Sequence, residues 1–384
     1  MKKIVIIFFL MIISFSTINI DITVASTIDN LSCKSYVLVD TKTGKIIEGL
    51  NYNDRVEVAS ICKLMTVYIT LNYIEKSNVE LDTKIFASPY ATSMEGSSAY
   101  LDNQEYSLDD LLKSVIVASA NDSAVVLAEY VAGNEIEFVK LMNTTAKELG
   151  MFDTKYSNAT GLSALEQYST AHDTAILINE LYKNELYLQY STIWMDMITH
   201  LSGRQTSLVN TNRLIKYYNN VLCGKTGFTD EAGYCLASIA TNNDITLTCV
   251  VLGCKNKQDR FNDSVNIFEE AFSDYYSEVL LDKSMPINNN IKVNKGTKNV
   301  INLFVENGIE VIQSKNNPIK YYLKYNLPYS IKAPIYTDDI IGTIDLVENG
   351  VIIETYNIVS GDNIPKASYV DYIKDIVNRF GQNK

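Results

Sequence analysis

Histidine is scarce: the chain has two in 384 residues, His172 and His200. They are far apart and belong to no His-Glu-x-x-His, which excludes a zinc peptidase of the usual kind. Neither is accompanied by a nucleophile-elbow Gly-x-Ser-x-Gly, so a chymotrypsin-like system is disfavoured as well. Both are expected to be structural or surface residues. Basic residues are also outnumbered, 33 Lys and Arg against 45 Asp and Glu, for a formal charge of −12. A chain with no basic excess offers nucleic acid no partner surface. There is no internal repeat and no low-complexity tract. The six cysteines, Cys33, Cys62, Cys223, Cys235, Cys249 and Cys254, are scattered and mostly sit in apolar stretches, as buried free thiols do. A Cys62–Cys223 bond is the one pairing left open. Cys249 with Cys254 is too little for a metal site, and neither metal nor cofactor is expected.

An apolar run of any length occurs only at the start. Lys2 and Lys3 precede the run 4–13, and Val24-Ala25-Ser26 supplies a small-residue exit. This is the layout of a secretory signal peptide over residues 1–26, so the mature chain is expected to be extracytoplasmic, either secreted or attached to the outer face of the cell membrane. The run is short for a membrane span and soon meets Ser14, Ser16 and Thr17. Leu31-Ser32-Cys33 mimics part of a lipoprotein box, but it lies too far from the apolar run for lipidation.

What is present is an ordered trio: Ser60-Ile61-Cys62-Lys63, Ser119-Ala120-Asn121 and Lys225-Thr226-Gly227. A Ser-x-x-Lys arises by chance roughly once or twice in a chain this long, and each motif has a plain structural reading. The first could be a capping serine and a solvated lysine, the second an interhelical loop, the third a turn into a strand. Context tells otherwise. Ser60 stands where an extended stretch meets an apolar helix with Leu64, Val67, Leu71 and Ile74 at helical spacing. Three residues on a helix place Lys63 beside Ser60, so an amine can reach the hydroxyl. A lysine acts as a base only when burial and a neighbouring positive charge lower its pKa, and Lys225 is the candidate neighbour. Ser119 and Asn121 break an apolar helical pattern and would relay a proton and hold a substrate amide. Lys225-Thr226-Gly227 precedes two alternating stretches joined at Asn242-Asn243-Asp244, which places it on a strand of an antiparallel hairpin. Gly227, lacking a side chain, would let a peptide lie against the strand edge.

At these residues the chain resembles the low-molecular-mass penicillin-binding proteins that act as D-alanyl-D-alanine carboxypeptidases. The resemblance extends through Glu95-Gly96-Ser97-Ser98, Asn158-Ala159-Thr160-Gly161-Leu162, Tyr168-Ser169-Thr170-Ala171-His172-Asp173 and the stretch 224–233, and covers residues from about 35 to about 276. It implies that Ser60 is the acylated nucleophile, Lys63 the general base and Ser119 the proton relay. Asn121, Lys225, Thr226 and Gly227 would bind substrate, with Lys225 and Thr226 on the terminal carboxylate of D-Ala-D-Ala. The backbone N–H groups of Ser60 and Phe228 would form the oxyanion hole. The family often has His where Phe228 stands, and an arginine where Asn210-Thr211-Asn212 has Thr211, with Arg213 just beyond. The implied substrate is a peptidoglycan stem peptide, and the implied inhibitors are β-lactams. Two alternatives stay open: a β-lactamase, against which Glu166 lacks an asparagine partner, and a silent wall-binding protein of the same fold.

The expected fold is α+β: an antiparallel sheet flanked by helices plus a helical lobe, of the β-lactamase/transpeptidase type, in residues 27–281. Asp282-Lys283-Ser284-Met285-Pro286 reads as a linker. Alternating stretches with Asn-Gly and Asn-Pro signals then predict a small all-β domain over residues 282–364, a spacer or a wall- or partner-binding module. Tyr369, Tyr372, Ile373, Ile376, Val377 and Phe380 predict an amphipathic helix over residues 365–384, which would make a peripheral membrane contact or dock on the protein.

Overall fold

A computed structural model describes residues 30–288 and 291–373. The expected signal peptide, and the terminal helix beyond residue 373, lie outside the described residues.

The central sheet has five antiparallel strands. These are β1 (Ser35–Asp40), β2 (Ile46–Leu50), β3 (Val221–Thr229), β4 (Gly233–Asn242) and β5 (Ile245–Cys254), in the order β2-β1-β5-β4-β3. Every residue of β1 is buried, because both faces of the sheet are covered. Val37 and Val39 point into a large core shared with the helical lobe. Tyr36 and Leu38 point into a second core under the helix Asp259–Asp274, so the two-residue period of a strand serves two interiors at once. Phe261 and Phe268 of that helix are buried, each contributing about 2–3 kcal/mol by leaving water. The β4–β5 turn carries Asn243 at φ +52, a left-handed position that asparagine tolerates.

The lobe begins with α1 (Lys63–Ser77), which runs through the core with Leu64, Met65, Val67, Ile69 and Leu71 buried and ends at left-handed Asn78. α2 (Leu108–Val117) is opened by Ser107, whose hydroxyl accepts the Asp110 N–H, with Asp109 and Asp110 in the first turn. α3 (Asn121–Ala132) follows after three residues and ends at Gly133. α4 (Glu135–Glu148), α5 (Ala171–Tyr182) and, after the sheet, α6 (Asp259–Asp274) complete the frame. The α+β expectation matches this architecture.

After α6 the strand Tyr275–Leu281 pairs with Ile309–Ser314, ahead of the linker read at 282–286. A four-stranded antiparallel sheet orders Leu303–Val305, Val351–Ser360, Ile340–Glu348 and Tyr321–Asn326, and the short strands Lys292–Asn294 and Ser330–Lys332 pair in parallel. This module has its own core, including Ile287, Leu303, Ile344 and Ile358. Lys45, in the β1–β2 turn, reaches it by donating to Tyr321 Oη at 3.0 Å and Glu348 Oε2 at 2.8 Å. Among the described residues no helix is long and apolar enough to cross a membrane. All six cysteines are buried and unbridged, Cys62 and Cys223 included.

Candidate active site

The turn that carries Ser60 is a short 3-10 segment, Ala59–Cys62, leading directly into α1. It is wedged between two glycines. A Cβ on Gly227 of β3 would stand 2.6 Å from Val58 O and 3.2 Å from Ile61 N. A Cβ on Gly161, itself at φ +79, would stand 2.0 Å from Ala59 O. The close neighbour of Gly227 is therefore this turn. The strand does run along the sheet edge, as the peptide-docking reading needs, but the missing side chain makes room for the backbone of the Ser60 turn. Ala59 holds φ +49, a strained conformation for a residue with a Cβ.

Lys63 is fully buried. Its Nζ donates to Ser60 Oγ at 3.0 Å and to Thr160 O at 2.5 Å. Burial lowers its pKa to about 7, against weaker upward pulls from Cys62 and Asp122. The sequence reading asked for two causes, burial and a positive charge from Lys225. Burial carries the shift, and the repulsion between the two amines falls on Lys225. That residue is lowered well below the ordinary lysine value, first by burial and then by Lys63 and Arg260. The Thr160 carbonyl is aimed by an asparagine turn in which Asn158 Oδ1 accepts from Thr160 N, Thr160 Oγ1 and Gly161 N. Thr66 Oγ1 donates to Ala159 O from the α1 side.

Ser119 lies in the break between α2 and α3 at φ +63, with its Oγ accepting from Lys225 Nζ at 2.6 Å. Lys225 also donates to Thr226 O at 3.0 Å. This contact ties the lobe to the sheet edge and brings the second and third motifs together. Asn121 opens α3. Its backbone N–H donates to Ser97 O, its Nδ2 donates to Glu95 O at 2.5 Å, and its buried Oδ1 has no partner among the described residues. A buried amide oxygen left open costs roughly 1–3 kcal/mol, and a substrate N–H would satisfy it. The next residue, Asp122, accepts from Ser98 Oγ, Ala99 N, Leu101 N and Ser123 N, so the 95–101 segment is pinned to the site.

Thr226 Oγ1 donates to Thr211 Oγ1 at 2.7 Å, and Thr211 N donates to Val117 O. Thr211 thus joins the end of α2 to β3 where the resemblance would place an arginine, while Arg213 is exposed. Phe228 is about half exposed, its ring stacked on Tyr234 at 4.2 Å. His172 packs edge-on to Tyr52, and His200 accepts or donates between Tyr106 and Thr206; neither has contact with the trio. Sequence reasoning assigned no role to Thr160, Asp122 or Arg260. The first acts through a backbone carbonyl, which carries no residue-type signal. The second had only its place after Asn121.

The arrangement puts a partly buried serine beside a neutralisable amine, a second hydroxyl on a second amine, and a buried, unpartnered amide oxygen on Asn121. This is equipment for nucleophilic acyl transfer. Residues 22–256 match the family model described as D-alanyl-D-alanine carboxypeptidase, and residues 277–366 that of the penicillin-binding protein 5 C-terminal domain. D-alanyl-D-alanine carboxypeptidase DacF of Bacillus subtilis is 33% identical over 345 residues, spanning 89% of this chain and 88% of that protein. D-alanyl-D-alanine carboxypeptidase DacC of Escherichia coli is 31% identical over 360 residues, spanning 91% and 88%. Among solved structures, penicillin binding protein 5 from Haemophilus influenzae superposes with a TM-score of 0.74 at 26% identity, covering 89% of this chain and 100% of that one.

Proposed function

The chain belongs to the D-alanyl-D-alanine carboxypeptidase family of low-molecular-mass penicillin-binding proteins, and from that premise we propose an exported serine hydrolase that removes the terminal D-alanine from peptidoglycan stem pentapeptides. The observation that carries it is the 3.0 Å contact between Ser60 Oγ and the fully buried Nζ of Lys63. Lys63 takes the hydroxyl proton as Ser60 Oγ attacks the carbonyl of the penultimate D-alanine. The oxyanion is received by the N–H groups of Ser60 and Phe228. As the tetrahedral adduct collapses, the amide C–N bond breaks and the proton passes through Ser119 to the leaving amine. Water, deprotonated by the same base, then hydrolyses the Ser60 ester. Asn121 Oδ1 accepts a substrate N–H, Thr226 and Lys225 meet the terminal carboxylate, and the net-negative chain leaves its capture to those local groups. A β-lactam follows the same first step, but its amine stays tethered, so the acyl-enzyme persists.

The organisation belongs to the same reading: a signal peptide over residues 1–26, a catalytic unit over 27–281 whose last strand reaches the β module of 282–364, and a terminal helix over 365–384 that contacts the membrane surface. The described start of that helix exposes Tyr369, Val370, Tyr372 and Ile373, which supports such a contact.

Incubation with a fluorescent penicillin and denaturing electrophoresis is expected to label the wild type and leave Ser60→Ala unlabelled, with D-alanine released from a pentapeptide. Absence of label would identify a silent scaffold. Rapid penicillin turnover with the pentapeptide untouched would identify a β-lactamase.

A further inference from the structure

Arg260, in the first turn of α6, is a buried cation, 4% exposed, with no carboxylate in ion-pair range among the described residues. Its Nη1 donates to Gly227 O at 2.9 Å and to Cys235 O at 3.4 Å. Its guanidinium lies over the rings of Tyr234 and Phe261, 5.5 and 4.9 Å from their centroids, and its Nε is buried without a partner. Burying an unpaired charge is costly, and a packing role for α6 would be served by an apolar side chain of similar length. The direction of the charge supplies a reason. Gly227 C=O and Phe228 N–H are the two ends of one planar peptide group. Holding the oxygen fixes the heading of the N–H, and a cation on the oxygen draws density from the amide and strengthens the N–H as a donor. The same peptide is braced from its other end, since the Phe228 ring stacks on the Tyr234 ring that Arg260 covers.

We propose that Arg260 is a positioning residue for acylation, acting through the Gly227–Phe228 peptide to aim and polarise the Phe228 N–H at the oxyanion. This rests on the reading of Ser60 as nucleophile and of that N–H as oxyanion donor. Arg260 touches neither substrate nor nucleophile, so its effect belongs in the rate of the chemical step rather than in ground-state affinity.

The test measures acylation by benzylpenicillin in wild type, Arg260→Met and Arg260→Lys, separating the dissociation constant of the non-covalent complex from the first-order acylation constant, with thermal melts for each. Deleting one oxyanion donor costs about 10²–10³-fold; losing its alignment is expected to slow acylation about 100-fold in Arg260→Met and about tenfold in Arg260→Lys, with the dissociation constant changed less than threefold. A peptide boronate, whose hydroxyl takes the oxyanion position, should lose affinity for Arg260→Met by the same factor as acylation. Acylation within threefold of wild type in a folded Arg260→Met overturns the proposal, as does a loss carried by the dissociation constant. Should Arg260→Met not fold, Arg260→Lys decides, and a wild-type acylation rate there overturns it. Failure of the underlying reading shows separately, as labelling that survives Ser60→Ala.

Discussion

Gly227→Ala tests the wedge that holds the Ser60 turn. The added Cβ would lie 2.6 Å from Val58 O and 3.2 Å from both Ile61 N and Ile61 Cγ1, where ordinary contact begins at 3.4 Å. The oxygen must therefore recede by about 0.8 Å, the difference between 3.4 and 2.6 Å. It is a backbone atom two residues from Ser60, so the turn moves as a piece. Lys63 is held independently by Thr160 O and does not follow. The Ser60–Lys63 contact, now 3.0 Å, would stretch out of the range of a useful hydrogen bond. A misplacement near 1 Å costs about 10²-fold in rate, while overpacking costs about 1–3 kcal/mol of stability. The assay is the acylation rate constant for benzylpenicillin by gel-based labelling, beside a urea denaturation curve. The expected result is a folded protein acylated about 100-fold more slowly. Were the glycine there only to admit a peptide, benzylpenicillin and a pentapeptide would lose affinity to different extents and the acylation constant would hold. Acylation within threefold of wild type, with a normal denaturation midpoint, would refute the wedge.

Three further outcomes follow from the site. The Lys63 amine, with its pKa lowered to about 7, is neutral in about half the molecules at pH 7, against about one in 3,000 at the ordinary value of 10.5; if it is the base proposed above, acylation should rise through an acid limb near pH 7, and a flat profile from pH 5.5 to 8.5 would remove it from that role. The unfolded chain binds this proton up to about pH 10.5 and the folded one only to about 7, so the contribution of Lys63 to stability increases with pH across that window; Lys63→Met should be more stable than wild type at pH 7 by about 1–3 kcal/mol, with a smaller gap at pH 9.5 in urea denaturation. Asn121→Ala should lower kcat/KM for the pentapeptide about 100-fold while costing only about 1 kcal/mol through the lost bond to Glu95 O, and an unchanged kcat/KM would deny its open oxygen a substrate.

The parts of this site that could be read in advance are those carried by residue type at short spacing. Ser60 and Lys63 meet because a single helical turn separates them, and the β3–β4–β5 hairpins follow from alternation and an asparagine turn. What stayed hidden depends on approaches between segments far apart in the chain. Nothing local says that Gly161 and Gly227 flank the same turn, that Thr211 closes on Thr226, or that Arg260 reaches back to Gly227 from α6. The source of the lysine shift was hidden for a related reason: the motif names a cationic neighbour, but full burial emerges only when α1 is packed against the 158–161 segment. The left-handed φ values at Ala59 and Ser119 are imposed by their surroundings, since neither residue type prefers them.

The six unlinked sulfurs have a practical consequence. With no cross-link to form, maturation of the catalytic fold waits on no oxidant, and activity should be indifferent to dithiothreitol. Burial pushes the Cys62 thiol up to about 12 and Cys223 further still, which leaves almost no thiolate for iodoacetamide to attack while the chain is closed. Alkylation followed by mass spectrometry therefore becomes a clock for transient opening, with Cys62 reporting on the loosening of the Ser60 turn and Cys223 on the release of the sheet edge.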